Sequence, residues 1–302
     1  MPILNFGSIN IDYIYRMDKF VRPGETKHCQ SLIINAGGKG LNQSIAAARA
    51  GITVWHAAMV GRDGGFLVEK LAKAGVDTSL MRACEELSGH AIIQVENSGQ
   101  NCIILYGGTN QLLTEEYILK VLESFGGDGL VLLQNETNLV PFIIHQAHAR
   151  GIKVALNAAP YNESLRAYPL ELLDWLIVNE VEGSEIAQVG SIDEILPRLS
   201  QMLPHCGILL TLGKLGAWCQ IEGQITRIGS FPVQVVDTTA AGDTFTGFFL
   251  QGILEGLPIM ECLIVATAAA ALCVQKLGAA DSIPLMSEVQ QALNSGSLGT
   301  PV

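Results

Sequence analysis

Apolar positions along the chain gather into short, mostly β-branched or aliphatic runs that alternate with longer stretches of helical spacing. ILNFGS leads to a helix from about Asn42, and TVWHAAMVG to a helix from about Phe66. The alternation is plainer later: GLVLLQ (129–134), a helix near 139–149, KVALN (153–157), WLIVN (175–179), a helix near 180–188 and GILLTLG (207–213). This order predicts parallel strands joined by crossover helices. The strand runs are almost continuously apolar, as a sheet covered on both faces requires. A late apolar stretch, Leu263 to Val274, is Ala-rich and twelve residues long. It is short of the ~20 residues that span a bilayer and reads as a buried core helix.

Two regions break the rhythm. Residues 11–35 and 89–107 hold strand-like segments, AIIQVEN and NCIILYGG among them, with no helix between. They predict hairpins or a small separate sheet, placed either as a flap over a site or as an extension of the main sheet's edge. No Pro/Ser/Gly-rich linker, fixed-period repeat or low-complexity tract divides the chain. The expected organisation is one core over 1–302 with these segments inserted as a lid.

Hydrophobic residues make up 49% of the 302 and charged residues 16%, the composition of a folded chain with wide buried surfaces. Eighteen basic against 29 acidic residues give a formal charge of −11, which argues against nucleic acid or an anionic membrane as partner. A local basic cleft can still hold a small anion. The seven cysteines, at 29, 84, 102, 206, 219, 262 and 273, are odd in number and form no C-x-x-C pair. Free thiols in a reducing cytoplasm are expected. MPILNFGSINID reaches polar and acidic residues too early for a signal peptide and reads as a first strand.

Two glycine-rich segments carry candidate chemistry. Gly37-Gly38-Lys39-Gly40-Leu41-Asn42-Gln43 precedes an Ala-rich helix. Adjacent glycines there let backbone N–H groups approach a ligand, with Lys39 and Asn42 beside them; a tight turn capping a helix accounts for the segment equally well. It is not a Walker A loop, since Gly40 follows Lys39 where Ser or Thr is required. The second segment, Asp237-Thr238-Thr239-Ala240-Ala241-Gly242-Asp243-Thr244-Phe245, lies between an expected strand, FPVQVV, and an apolar helix. A lone Asp243 at a helix start is accounted for by the helix dipole. The small residues before it leave room for an anion against the helix N-terminus, where a carboxylate can deprotonate a hydroxyl beside a transferring phosphoryl group.

Together with GSINID, LNAAP, NEVE, TLGKLGAW and GAADSIP, in order along nearly the whole chain, these segments resemble the ribokinase family of carbohydrate kinases. The resemblance implies a three-layer α/β/α core of nine-stranded type with a β-sheet lid, Mg-ATP as phosphoryl donor, a small sugar as acceptor, and a homodimer joined through the lids. It places Asn10, Asp12, Gly38, Lys39, Asn42 and Glu136 around the sugar. Asn179, Thr211, Gly213 and Gly216 fall at its nucleotide positions, and Glu182 at its magnesium position. Ala241 and Gly242 become an anion hole and Asp243 the base. Asp237, Thr239, Gly278 and Ser282 match positions that supply oxygens to potassium.

Leu41, Asn135 and His90 depart from the family pattern, and each could alter the fit of the sugar. Ribose phosphorylated at O5 is the expected reaction, with deoxyribose, a fructose-type hexose or a nucleoside as alternative acceptors and a non-catalytic sugar-binding regulator as the alternative class. A Rossmann dehydrogenase is excluded because GSINIDYI lacks the dinucleotide fingerprint after the first strand. His145 and His148, the nearest approach to a metal motif, have no partnering acids and are expected on the surface.

Overall fold

The computed structural model describes residues 1–302. The first half of the chain forms β1 (Ile3–Phe6), β2 (Asn10–Met17), β3 (Ser31–Gly37), α1 (Lys39–Arg49), β4 (Val54–Ala57), β5 (Met59–Val60), α2 (Gly65–Lys73), β6 (Arg82–Ala83), β7 (Gly89–Glu96), β8 (Asn101–Tyr106) and α3 (Glu115–Phe125). The strands β9 (Leu130–Gln134), β10 (Lys153–Asn157) and β11 (Trp175–Asn179) follow, with α4 (Val140–His148) after β9 and α5 (Glu180–Ala187) after β11. The rest comprises α6 (Ile192–Met202), β12 (Gly207–Thr211), β13 (Ala217–Ile221), β14 (Gln224–Ile228), α7 (Ala241–Leu254), α8 (Ile259–Cys273) and α9 (Met286–Ser295).

The central sheet has eight strands in the order β14-β13-β12-β11-β10-β9-β1-β4. The six from β4 to β12 run parallel, and β13 and β14 fold back antiparallel at one edge. Successive strand residues point to opposite faces, so Ile3, Leu132, Ala155, Ile177 and Leu209 enter one core while Leu4, Leu133, Leu156, Val178 and Leu210 enter another. The first core is closed by α1, α2, α7, α8 and α9, and the second by α3, α4, α5 and α6. Three layers result, with both sheet faces dry.

The strands of the two irregular regions form a separate four-stranded sheet, β3-β2-β7-β8, and not an edge extension of the main one. β2 pairs with β7 in parallel, so the sheet is two antiparallel hairpins joined side by side.

Several local expectations are corrected. The first helix begins at Lys39, three residues before Asn42, because Gly38 turns the chain at φ 98° and Lys39 is already helical. TVWHAAMVG breaks after Ala57, and Met59–Val60 leaves the main sheet to pair with β6. FPVQVV has no regular secondary structure and joins no sheet; Val235 and Val236 are exposed, so β-branched composition there reflects no strand neighbour. The main sheet has eight strands and not nine. Leu263–Val274 falls in the buried α8 as expected, with the helix starting at Ile259.

Candidate active site

Parallel register brings the C-terminal ends of β1, β9, β10, β11 and β12 to one edge of the sheet, the place where open α/β sheets bind ligands. Ser8, Glu136, Asn179 and Thr211 all lie at or just beyond those ends. The N-termini of α1 and α7 face the same edge.

The α1 N-terminus is fixed by close backbone approach. Leu41 N–H donates to the Ser8 carbonyl at 2.9 Å and Gly40 N–H to Ser8 Oγ at 3.1 Å. A Cβ on Gly40 would lie 2.3 Å from the Ser8 nitrogen, so only glycine permits this contact. The Lys39 N–H then donates to Glu136 Oε2 at 3.1 Å, and Ser8 Oγ donates to the same oxygen. One turn on, Asn42 Nδ2 donates to Asp243 Oδ2 at 3.1 Å and Gln43 Nε2 to Asp243 Oδ1 at 2.9 Å. Helix α1 therefore binds carboxylates from both halves of the site.

Two cavities open at this edge. The larger, about 390 Å³, is lined by Asn10, Asn110, Asn135, Glu136 and residues of the 160–168 loop. Asn10 Oδ1 accepts from Asn110 Nδ2 at 2.8 Å, which fixes the amide beside the lid. Asp12 lies across Gly37 of the neighbouring strand, where a Cβ would strike its carboxylate at 2.0 Å. Burial, reinforced by the negative charge of Glu136, pushes Asp12 up to about 7. Glu136 is itself pushed up by burial, against the pull of Lys39 and Ser8.

The smaller cavity, about 210 Å³, is lined by Lys39, Asn179, Glu182, Thr211, Ala241, Gly242 and Asp243 among others. Ala240 has φ 61° and α7 begins at Ala241, which leaves the N–H groups of Gly242 and Asp243 without intrahelical acceptors. A Cβ on Gly242 would meet nothing within 4 Å. Neither packing nor φ calls for glycine there; its missing side chain leaves an open cradle beside free N–H donors, which fits an anionic group. Burial pushes Asp243 up, opposed by the charge of Lys39 and the hydrogen bonds from Gln43 and Asn42. Burial would depress Lys39, but the carboxylates of Asp243, Glu136 and Glu182 outweigh it and hold the ammonium charged.

Asn179 and Glu182 form a capping box on α5: Asn179 Oδ1 accepts from the N–H groups of Val181 and Glu182, and Glu182 Oε2 accepts from Asn179 N–H at 2.8 Å. One Glu182 carboxylate oxygen carries that bond and the other remains for a ligand, which suits Mg²⁺, an ion held by one or two carboxylates together with substrate phosphates. Gly213 and Gly216 lie past Thr211 in the β12–β13 turn and do not line this cavity.

Beneath the α7 loop, Asp237 Oδ2 accepts from Gly278 N–H at 3.0 Å, and Oδ1 accepts from Thr239 N–H at 2.9 Å and from its hydroxyl at 2.6 Å. Despite partial burial, these bonds hold the Asp237 carboxyl below its usual range. Both Asp237 oxygens are thus engaged by protein donors, and the carboxylate ties the Thr239 loop to the Gly278 loop. Ser282 is buried and its hydroxyl is committed to Ala279 and Cys273, leaving only its backbone oxygen for a cation.

Of the three departures, only Asn135 lines either of these two cavities, with its side chain already bound to the Pro160 carbonyl and Tyr168 Oη. Leu41 is wholly buried in the core, and His90 packs between Tyr13 and Tyr106. His145 and His148 are exposed on α4. The sequence reading missed Ser8, Gln43 and Asn110; GSIN and GLNQ, which contain two of them, were the available signals.

Comparison with known proteins agrees with this geometry. The model of the pfkB family of carbohydrate kinases matches residues 3–286. The chain is 36% identical to ribokinase of Haemophilus influenzae over 296 residues, 95% of this chain and 96% of that one. It is 33% identical to ribokinase of Staphylococcus aureus, covering 96% and 98% of the two chains. The solved structure of Arabidopsis thaliana ribokinase with ribose and ATP superposes with a TM-score of 0.85 at 30% identity, covering 97% of this chain and 98% of that one. By sequence, layer order and site, the chain belongs to the pfkB family of carbohydrate kinases.

Proposed function

We propose that this chain transfers the γ-phosphoryl group of ATP to O5 of D-ribose, with the sugar reaching from Asn10 and Glu136 of the larger cavity to Lys39 and Asp243 of the smaller, and the nucleotide in the smaller. The observation that carries the reading is Asp243, held through both oxygens by α1, in the first turn of α7 beside open N–H donors. Asn10, Asp12, Gly38, Lys39, Asn42 and Glu136 surround the sugar; an amide with two carboxylates can both donate to and accept from neighbouring hydroxyls. Asp243 takes the proton from the acceptor hydroxyl as that oxygen attacks phosphorus. Of the anion hole expected at Ala241 and Gly242, the Ala241 N–H is already donated to the Thr238 carbonyl at 3.2 Å, so the N–H groups of Gly242 and Asp243 and the Lys39 ammonium face the charge that spreads over the phosphoryl oxygens. Asn179, Thr211 and Ala241 hold the nucleotide within the smaller cavity, with Gly213 and Gly216 in the turn beyond it and Glu182 toward magnesium. Mg²⁺, when bound, neutralises phosphate charge. K⁺ is held by Asp237, Thr239, Gly278 and Ser282, bracing the loop that sets the α7 N-terminus.

The chain is read as one folding unit over 1–302 with lid segments at about 11–35 and 89–107. Exposed Leu32, Ile34, Ile103 and Ile104 on the lid sheet support a homodimer formed there. Seven unpaired cysteines, two of them exposed, support a cytoplasmic location, and no helix is long and apolar enough to cross a membrane. ADP release measured with ribose, deoxyribose, fructose and a nucleoside tests the assignment: ribose should give the highest kcat/KM. Sugar binding without ATP turnover for every acceptor would mark a non-catalytic binder.

A further inference from the structure

Strands buried on both faces are expected to be apolar, yet Asn5, His56 and Gln134 interrupt β1, β4 and β9 and are completely buried. Each has the strand parity of Ile3, Val54 and Leu132, so all three point toward the α1 and α7 layer. Gln43 and Ser44 of α1, also completely buried, meet them there.

The hydrogen bonds among these residues run outward from Gln134, one arm through Asn5 and Ser44 to His56 and the other through Gln43 to Asp243. Burial holds His56 down to about 4, so its ring is neutral; with Nε2–H donating to the Gly7 carbonyl at 3.2 Å, Nδ1 accepts from the Ser44 hydroxyl at 2.8 Å. Ser44 Oγ accepts from Asn5 Nδ2 at 2.8 Å, and that amide also donates to the Gly40 carbonyl at 2.9 Å. Asn5 Oδ1 accepts from Gln134 Nε2 at 3.1 Å. The same Gln134 nitrogen donates to Gln43 Oε1 at 2.8 Å, and Gln43 Nε2 donates to Asp243 Oδ1 at 2.9 Å. Rotating the Gln43 amide by half a turn would set donor against donor at Gln134 and oxygen against the Asp243 carboxylate. Each member thus fixes the next.

We propose that Gln43 is a positioning residue for the phosphoryl-transfer reaction, locked by Gln134, and through it by Asn5, Ser44 and His56, into the orientation that aims and ionises Asp243. The proposal rests on Asp243 being the base. The Gln43 N–H occupies one lone pair of Oδ1 and favours the carboxylate over the acid, leaving the rest of the carboxylate for the sugar hydroxyl. Burial without that donor would favour the protonated, inactive form. Other titratable groups face the same carboxylate: Lys39 from α1, Glu136 after β9 and Cys273 from α8, with Glu182 of α5 acting on Lys39.

The test is steady-state kinetics with ribose and ATP across pH on Gln43→Met, Gln134→Met, the double variant and Gln134→Glu. Gln43→Met should lower kcat about ten- to a hundredfold, the scale of a lost hydrogen bond to a charge, with the KM for ATP unchanged. The acid limb of its rate profile should move to higher pH, since a base that has lost a donor holds its proton longer. The double variant should be no slower than Gln43→Met, because Gln134 acts only through Gln43. Gln134→Glu keeps size and polarity but cannot donate to Gln43 when ionised; it should shift the acid limb without touching Asp243. This variant decides the matter if a Met variant fails to fold. Additive losses in the double variant, or parental kcat and acid limb in folded Gln134→Glu, would overturn the proposal. Asp243→Asn in the same assay separates the two readings: parental turnover there sinks the base assignment and this proposal together, whereas an inactive Asp243→Asn with additive double-variant losses sinks the positioning role alone.

Discussion

Asp243→Asn changes one oxygen of the site to nitrogen and removes one charge. The surrounding hydrogen bonds can absorb it: the new Oδ1 still accepts from Gln43 Nε2, and the new Nδ2 meets Asn42, whose Oδ1 is buried without a partner and can turn to accept. The variant should therefore fold. Its stability has a defined sign. Burial raises the folded-state pKa of Asp243, so between the unfolded and folded values the native state holds more protons than the unfolded one and stability falls as pH rises through that window. Asn has no such fall, and at pH 8 the variant should melt no lower than the parent. Turnover should drop about 10²- to 10⁴-fold, the range for loss of a general base, or about 2.7–5.4 kcal/mol of barrier at 1.36 kcal/mol per decade. Coupled ADP release gives the rate, calorimetric titration with ribose the binding, and thermal melting the fold. A folded variant that binds ribose and turns over within about fivefold of the parent would refute general-base catalysis by Asp243.

Asp12→Ala and Glu136→Ala should each weaken ribose binding by about 1.5–3 kcal/mol while leaving an ATP analogue's affinity unchanged, as calorimetry of each ligand will show. Because Asp12 is pushed up to about 7, ribose affinity should rise as pH increases through 7, when the stronger acceptor forms; a flat profile in the parent argues against Asp12 as a sugar ligand. Gly242→Val places a branched side chain in open space, so it should raise the KM for ATP or lower kcat at least tenfold with little change in melting temperature. K⁺ should support faster turnover than Na⁺ at matched ionic strength, a difference that Asp237→Asn should abolish. Ile104→Asp on the lid should shift the chain toward monomer in light scattering, and an unchanged mass would remove the lid from the interface.

What could be read from the sequence was local. Gly40, Asn42 and Asp243 stand in short segments whose residue types limit the backbone to a few shapes, so the motifs carry their geometry with them. FPVQVV shows the converse: its composition favours a strand, but β14 is already the sheet's edge and the segment passes on to α7 without a pairing partner. The ends of β1, β9, β11 and β12 became a site because parallel register aligned them, and register across 50 to 130 residues is not encoded in any one run. Asn5, His56 and Gln134 were invisible for the same reason. A polar residue inside an apolar strand looks like a defect until its partners are known, and here Gln134 lies 91 residues from Gln43 and 129 from Asn5.

The balance at Asp243 explains why such a layer is retained. A base must lose water to sit against a sugar hydroxyl and a phosphoryl group, and burial alone would keep it protonated. Lys39 supplies charge, but the same ammonium is shared with Glu136 and Glu182 and cannot aim a carboxylate. Asn42 and Gln43 supply direction, one to each oxygen. A buried amide can turn over and trade its donor for its acceptor unless both its ends are engaged. At Gln43 both are: Asp243 takes the nitrogen and Gln134 the oxygen, while the Asn42 and Gln134 oxygens have no protein partner and Gln134 is held instead by its nitrogen donating to both Gln43 and Asn5. Orientation of the base therefore depends on residues within the sheet as well as on those lining the cavity, and apolar replacements at Asn5 or Gln134 that preserve packing should still slow the chemical step.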